Sequence, residues 1–298
     1  SSRPTSAWPS SGVSVSEPGR TPSWPGGATR LAGVIGHPIR HSLSPVLHNA
    51  AFAALDLDWA FVAFDVGPGQ GKAAVEAMRA LGIDGLSVTM PHKADAAAAV
   101  DELAPHAAQL NSVNTVVRRG TTLVGENTDG AGFINAIRLD EGFDPSGRKC
   151  VVLGAGGAAR AVVLALAGAG AAQVIVVNRT PERAAVAAAL APAVARVGVE
   201  ADAASADLVV NATPVGMTGD PGLPVDPVLL HSGQLVVDLV YIPAVTPLVS
   251  AARERGATAV NGLGMLIHQA ALAFEHWTGL EPPLEAMSAA AVAQLTLH

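Results

Sequence analysis

Lys93 and Asp129 are the charged residues of the N-terminal half that fall at the ends of expected elements beside small polar residues: Ser42, Ser44, Thr89, Asn114 and Thr128. Brought together, this set offers hydroxyls and amides for a small polyhydroxylated anion, plus one proton carrier. A lysine beside a carboxylate is held protonated by the charge and pushed toward neutral by burial, a balance that suits proton transfer. The same residues have plainer readings. Ser42 and Ser44 also read as helix caps, Asn114-Thr115 as a turn, and Lys93 with Asp129 as a surface ion pair.

A second chemical signal is KCVVLGAGGAARA at 149–161. Cys150-Val151-Val152-Leu153 reads as a buried parallel strand, and an alanine-rich helical pattern follows the glycines. Gly154 permits the turn, and Gly156, with Ala155, Gly157 and Ala158 around it, lets a phosphate approach the backbone. Ala159 allows close packing of helix on strand, so the first helical N–H groups and the helix dipole face an anion. An ordinary glycine-rich turn is the plain alternative. After the next apolar run, where a carboxylate would bind the ribose hydroxyl of NAD, stands Asn178, followed by Arg179, Thr180 and Arg183. A guanidinium grips a 2′-phosphate that a carboxylate would repel, which points to NADP. The residues alone therefore describe an NADP-dependent oxidoreductase acting on a small polar substrate.

The elements that must position these groups read as α/β. A strand at Leu31–Gly36 leads through a loop to a helix with Ser44 as N-cap and Pro45 in its first turn. Strands at Trp59–Val66 and Gly85–Thr89 alternate with helices at Gln70–Leu81 and Ala94–Val100. Two strands follow, Val113–Val117 and Thr121–Val124, and Asp129 is placed to cap a helix running to Leu139. From Lys149 a second unit alternates strands (150–153, 174–178, 208–211, 235–239, 258–260) with helices at 158–169 and 181–190. Residues 261–298 exceed what that unit requires and are expected to cross back to the first. The expected division is a substrate-binding open α/β domain (30–130 and 265–298) and a Rossmann-type NADP domain (131–264), with a cleft between them. Gly130–Gly132 and Asn261–Gly264 are candidate hinges by position.

Composition narrows the partners. Eighteen basic against 25 acidic residues give a net charge of −7 in 298 residues, with no basic block, which excludes nucleic acid and anionic membrane surfaces. Apolar runs are too interrupted to span a bilayer, so a cytoplasmic protein is expected, as monomer or homodimer. The one cysteine, Cys150, sits in an expected core strand and reads as a buried, reduced thiol. His37, His41 and His48 lack the pattern of a zinc site, and no metal is expected. Residues 1–29, rich in Ser, Pro and Gly, read as a disordered extension in which Trp8 and Trp24 are incidental.

GHPIRHSLSPVLHN (36–49), VTMPHK (88–93), VNT (113–115), GENTDGAG (125–132), GAGGAARA (154–161), NRT (178–180), NATPVGM (211–217), YIPAVTPL (241–248) and NGLGMLIHQA (261–270) together resemble the shikimate dehydrogenase family, in the family's order. The resemblance implies NADPH-dependent, reversible reduction of 3-dehydroshikimate to shikimate in aromatic amino-acid biosynthesis. It implies that Ser42 and Ser44 bind the substrate carboxylate and that Thr89, Asn114, Asp129 and Gln269 hold the ring hydroxyls, with Tyr241 adding a contact. Lys93 would pass the proton, oriented by Asp129. Gly154 to Ala158 would cradle the pyrophosphate and Asn178 to Arg183 the 2′-phosphate, with Leu239 and Gly262 near the nicotinamide. Two departures from the family's pattern stand out: Ser87 in place of Asn, and Asn111-Ser112 in place of small residues. The competing expectations are a quinate/shikimate dehydrogenase using NAD and a non-catalytic shikimate-binding regulator.

Overall fold

The first apolar run forms β1 (Arg30–Gly36), buried from Ala32 onward. In the computed structural model, which describes residues 25–296, it is followed by α1 (Ser44–Ala54), β2 (Trp59–Asp65), α2 (Gly71–Leu81) and β3 (Ile83–Val88). β1 pairs in parallel with both β2 and β3, giving the expected β-α-β-α-β unit. The chain continues through α3 (Lys93–Ala99), β4 (Glu102–Leu103), α4 (Pro105–Leu110), β5 (Thr115–Arg119) and β6 (Thr122–Glu126). β5 and β6 form a hairpin about Gly120, and β5 lies antiparallel to β3, with Thr115 opposite Ser87. The sheet order is β2-β1-β3-β5-β6-β4. The start of β5 and the end of β6 therefore share one edge with the carboxyl ends of β1, β2 and β3.

Two helix starts differ from the sequence reading. Ser44 is the first residue of α1 and not its cap, and Asp129 is likewise the first residue of α5 (Asp129–Asn135). Leu43 and Thr128, the residues before them, already have helical dihedrals. Neither helix thus has the extended cap residue whose side chain folds back on the first turn. The hydroxyl that does serve α1 belongs to Ser42, which accepts from the Ser44 N–H at 3.3 Å. Nor does α5 run on to Leu139 as a plain α-helix, since a π-helical turn at Ala136–Asp140 continues it.

The second sheet comprises β7 (Lys149–Leu153), β8 (Gln173–Val177), β9 (Ala195–Val197), β10 (Leu208–Asn211), β11 (Leu235–Asp238) and β12 (Thr258–Asn261). Helices α6 (Gly157–Gly168), α7 (Pro181–Ala188) and α8 (Pro247–Glu254) connect them. All its pairings are parallel, in the order β12-β11-β10-β7-β8-β9, the doubly wound arrangement that changes direction beside β7. Val, Ile and Ala fill both faces. Val152, Val176 and Val210 pack with Val162 and Phe133 on one side, and Val151, Ile175 and Val209 with Leu248 on the other.

Helix α9 (Leu263–Thr278) leaves the second sheet and returns to the first, followed by α10 (Leu284–Leu295). Its Ile267, Ala270, Phe274 and Trp277 are buried with Ala32, Val34, Leu47 and Phe61. The Trp277 indole donates to the Val116 carbonyl at 3.1 Å and covers Gly85, where a Cβ would meet the ring at 2.5 Å. Glycines of the two candidate hinge stretches are points of close approach. A Cβ on Gly130 would lie 2.9 Å from the Ala161 carbonyl, one on Gly132 2.6 Å from the Gln269 nitrogen, and one on Gly262 against the Leu239 carbonyl. Most of the stretch 1–29, with Trp8 and Trp24, lies outside the described residues. Gly26–Thr29 within it forms a turn, and the Thr29 hydroxyl donates to Asp58 at 2.6 Å. No helix among the described residues is long and apolar enough to cross a membrane.

His48 of α1 is fully buried, stacked on Phe61 at 4.4 Å between ring centroids and 4.9 Å from Trp277, and neither ring nitrogen has a partner among the described residues. Desolvation pushes its pKa from 6.5 down to about 3. The unfolded chain therefore takes up this proton first as pH falls, and stability is lost between those two values. The expected slope from His48 alone is about 1.4 kcal/mol per pH unit. In urea titrations compared at about pH 7 and about pH 5, His48→Leu should lose less stability on acidification than the native chain; equal losses would refute the assignment.

Candidate active site

The centre of the first domain's edge is a carboxylate with both oxygens engaged. Lys93, the first residue of α3, donates from Nζ to Asp129 Oδ2 at 2.5 Å, and the side chains are 19% and 8% exposed. That shelter sets the pair apart from a surface ion pair. The Asn114 carboxamide donates to Asp129 Oδ1 at 2.8 Å and to Thr128 Oγ1 at 2.9 Å, and Gln269 Oε1 stands 3.4 Å away. In return Asn114 Oδ1 accepts from the Thr128 backbone N–H at 2.8 Å. The Asp129 N–H donates to Asn127 Oδ1, and Asn127 Nδ2 to the Ser112 carbonyl. Asn127 escaped the sequence reading; the only signal for it is an Asn two residues before a helix's first residue, the spacing of an Asx turn.

Strand ends place these groups. Gly36 closes β1 with no room for a side chain, because a Cβ there would clash with the Thr89 methyl. The turn 89–92 is held on three sides. The Thr89 N–H donates to the Ile35 carbonyl, the His37 N–H to the Met90 carbonyl, and the buried His92 ring from Nε2 to the Val66 carbonyl at 2.7 Å. Ser42 lies half-buried on the loop after β1 and Ser44 is buried at the first position of α1, and no hydrogen bond among the described residues joins either to the Lys93 cluster. Ser87 is buried within β3, and Asn111 closes α4 in the left-handed conformation at φ 46°.

At the matching edge of the second sheet, Gly154 has φ 113°, and a Cβ would sit 2.8 Å from the Ala212 carbonyl. Only glycine fits there without strain. Gly156 and Gly157 instead face open space, and Gly157 opens the twelve-residue α6, so the backbone is free for a phosphate to approach. Ala155 and Ala158 are half-buried beside them, and Ala159 is fully buried against the sheet. Asn178 Nδ2 donates to the Thr180 carbonyl at 2.9 Å and shapes the turn, while Arg179 and Arg183 are exposed and pair with no carboxylate among the described residues. These residues fit a nucleotide carrying a 2′-phosphate. Beside them, buried Asp238 accepts from Asn211, Thr246 and the Val240 N–H, although burial still leaves its carboxyl raised above the usual carboxylate range. That network fixes the chain at Leu239, whose carbonyl backs onto Gly262. Tyr241 is half-buried, its phenol pushed up by desolvation, and it makes no hydrogen bond to the Lys93 cluster. Burial pushes the Cys150 thiol up to about 12, which removes it as a nucleophile.

A two-domain pyridine-nucleotide oxidoreductase is the class that this fold and these two edges define. The chain is 45% identical over 271 residues to the shikimate dehydrogenase (NADP(+)) of Moorella thermoacetica, covering 87% of this chain and 92% of that one. It belongs to the shikimate dehydrogenase family. Family models match in three stretches: the shikimate dehydrogenase substrate binding domain at 34–116, shikimate / quinate 5-dehydrogenase at 139–215, and the shikimate 5'-dehydrogenase C-terminal domain at 262–292. The crystal structure of shikimate 5-dehydrogenase from Thermus thermophilus in complex with NADP(H) and shikimate superposes with a TM-score of 0.84 at 37% identity, covering 89% of this chain and 99% of that one. Quinate dehydrogenase from Corynebacterium glutamicum in complex with NAD gives 0.83 at 33% identity, covering 89% and 98%.

Because Gly156 has open space around it and ordinary dihedrals, Gly156→Val should fold with its melting temperature unchanged. Its branched side chain should nonetheless weaken NADPH binding at least about tenfold, the loss of one charge-assisted hydrogen bond. Calorimetric titration beside a thermal melt checks this; unchanged affinity would contradict the placement of the phosphates.

Proposed function

We propose that this chain catalyses the NADPH-dependent, reversible reduction of 3-dehydroshikimate to shikimate, and that Lys93 and Asp129 are its acid-base pair. The observation that carries the reading is the sheltered Lys93–Asp129 contact, buttressed by Asn114 and facing Gln269, on the same edge as Ser42, Ser44 and Thr89. The residues of the glycine loop would hold NADPH, and the chemistry supplied there would be hydride donation. Lys93 gives its proton to the oxygen that becomes the C3 hydroxyl, and takes it back in the reverse direction. Asp129 keeps the ammonium aimed while its other oxygen is held by Asn114, so the lysine has one direction in which to reach.

The remaining assignments follow the chemistry of each side chain. Ser42 and Ser44 donate hydroxyls to the substrate carboxylate. Thr89, Asn114, Asp129 and Gln269 hold the ring hydroxyls, and Tyr241 approaches from the nucleotide side. Gly154, Ala155, Gly156, Gly157 and Ala158 present backbone N–H groups to the pyrophosphate. Asn178, Arg179, Thr180 and Arg183 receive the 2′-phosphate, and Leu239 and Gly262 flank the nicotinamide. Residues 30–130 with 265–298 form the substrate domain and 131–264 the nucleotide domain. The setting is aromatic amino-acid biosynthesis in the cytoplasm, with a small molecule as the partner and the protein as monomer or homodimer.

Incubation with shikimate and NADP should raise NADPH absorbance, and no rate above blank would end the proposal. Lys93→Ala should lower kcat by about 10²–10⁴-fold, the span of a general acid-base contribution, with the KM for shikimate little changed. Unchanged turnover would remove Lys93 from its role. The double variant Arg179→Ala/Arg183→Ala should raise the KM for NADP at least about tenfold while leaving the slower rate with NAD intact. A native preference for NAD, or for quinate over shikimate, would favour the quinate/shikimate dehydrogenase reading.

A further inference from the structure

Arg160 belongs to the first turn and a half of α6, the helix that opens on the glycine loop, yet its guanidinium bonds to the other domain. Nη2 donates to the carbonyl of Leu110, the last residue of α4, at 2.8 Å. Arg160 pairs with no carboxylate among the described residues, and its Nε–H is buried with no acceptor among them. A sheltered guanidinium with an idle donor is costly to fold and serves packing poorly.

What lies beyond Leu110 gives the contact a purpose. Asn111 turns the chain at φ 46°. The Ser112 carbonyl accepts from Asn127, whose Oδ1 accepts from the Asp129 N–H. The Val113 N–H donates to the Lys93 carbonyl at 3.0 Å. Asn114 holds Asp129 itself. Residues 110–114 thus form one strip, tied at one end to α6 and along the rest to both members of the Lys93–Asp129 pair. Leu110, Ser112, Val113 and Asn114 are all buried, with only Asn111 exposed, so close packing opposes independent movement of the strip's residues. A second contact reaches the same pair from the same helix: Gly130, next to Asp129, lies so close to α6 that a Cβ would be 2.9 Å from the Ala161 carbonyl.

We infer that Arg160 is a positioning residue that couples occupancy of the glycine loop to the geometry of the Lys93–Asp129 pair. A ligand settling on the first turn of α6 moves or fixes Arg160, and through the Leu110 carbonyl it fixes the strip that carries Asn114. The inference rests on the assignment of Lys93 and Asp129 made above. Two-site coupling of this kind is reciprocal, so shikimate must tighten NADPH to the same extent that NADPH tightens shikimate.

The test uses NADPH and shikimate together, a pair with no hydride acceptor and hence no turnover. NADPH fluorescence gives its Kd with and without saturating shikimate, and the ratio is the coupling. In the native chain shikimate should tighten NADPH by about fivefold or more, the lower end of ordinary allosteric coupling. Arg160→Met should bring the ratio close to unity and lower kcat, leaving the Kd of shikimate alone within about twofold of native. Arg160→Lys, which can still donate to Leu110, should keep part of the ratio. Should Arg160→Met fail to fold, Arg160→Gln is measured in the same way, and full coupling there overturns the inference. It is also overturned by a native ratio of one, or by native coupling in Arg160→Met. A variant that binds NADPH itself weakly while keeping the ratio would make Arg160 a phosphate ligand and overturn it too. Failure of the acid-base assignment shows separately, as unchanged turnover in Asp129→Asn with the Kd ratio intact.

Discussion

The Asp129 carboxylate organises the substrate half because its two oxygens answer to different parts of the chain. Oδ2 takes the ammonium of Lys93 from the start of α3, and Oδ1 takes the amide of Asn114 from the start of β5. A buried carboxylate is tolerable only when its acceptors are used, and each partner comes from a strand end that the sheet alone brings to this edge. β3 delivers Lys93 through a turn pinned to β1 and β2, and the antiparallel pairing of β5 with β3 puts Asn114 within reach. The parallel unit would place Lys93 without the hairpin, but the lysine would then have no fixed direction.

The two halves are joined by helices whose packing is set by small residues. α5 touches α6 at Gly130 and α9 at Gly132, both closer than any side chain allows. α9 then buries Phe274 and Trp277 in the first domain's core and brings Gln269 to Asn114. Dispersion and apolar burial hold this junction, and polar bonds at its two ends set its register. Asp140, on the π-helical turn, lies 3.2 Å from the His268 ring, and Arg160 binds Leu110.

Much of this could be read from the residues. Buried parallel strands need apolar runs on both faces, so β1, β3, β7, β8 and β10 stand out in the sequence, and the glycine loop is legible because its strand and helix flanks are. The return of the C-terminal helices follows from surplus length. Local signals failed where backbone geometry decided. Ser44 and Asp129 look like caps, but Leu43 and Thr128 already take helical dihedrals and move the helix start by one residue. β4 and α4 are too short to show a period, and no residue type announces the partners distant in sequence that press on Gly130, Gly132 and Gly262. Asn127 and Arg160 bond to carbonyls, at Ser112 and Leu110, and no residue type at those positions announces such a partner.

The cleft's two walls use opposite physical strategies, and the difference follows from what each must recognise. A polyol ring offers hydroxyls that water satisfies equally well, so discrimination requires amides and carboxylates held in place before the ligand arrives. Asn114, Thr128 and Asp129 are accordingly buried and bonded to one another. A phosphate carries full charge, which attracts from a distance and tolerates solvent, and on the reading proposed above it would need no more than exposed Arg179 and Arg183 and an open glycine backbone. Rigidity belongs where hydroxyls are told apart, and exposed charge where a phosphate is met. Arg160 stands outside this division, half-buried in the nucleotide half and bonded to the substrate half's Leu110 carbonyl, which is why its place in the molecule calls for a role that neither wall alone provides.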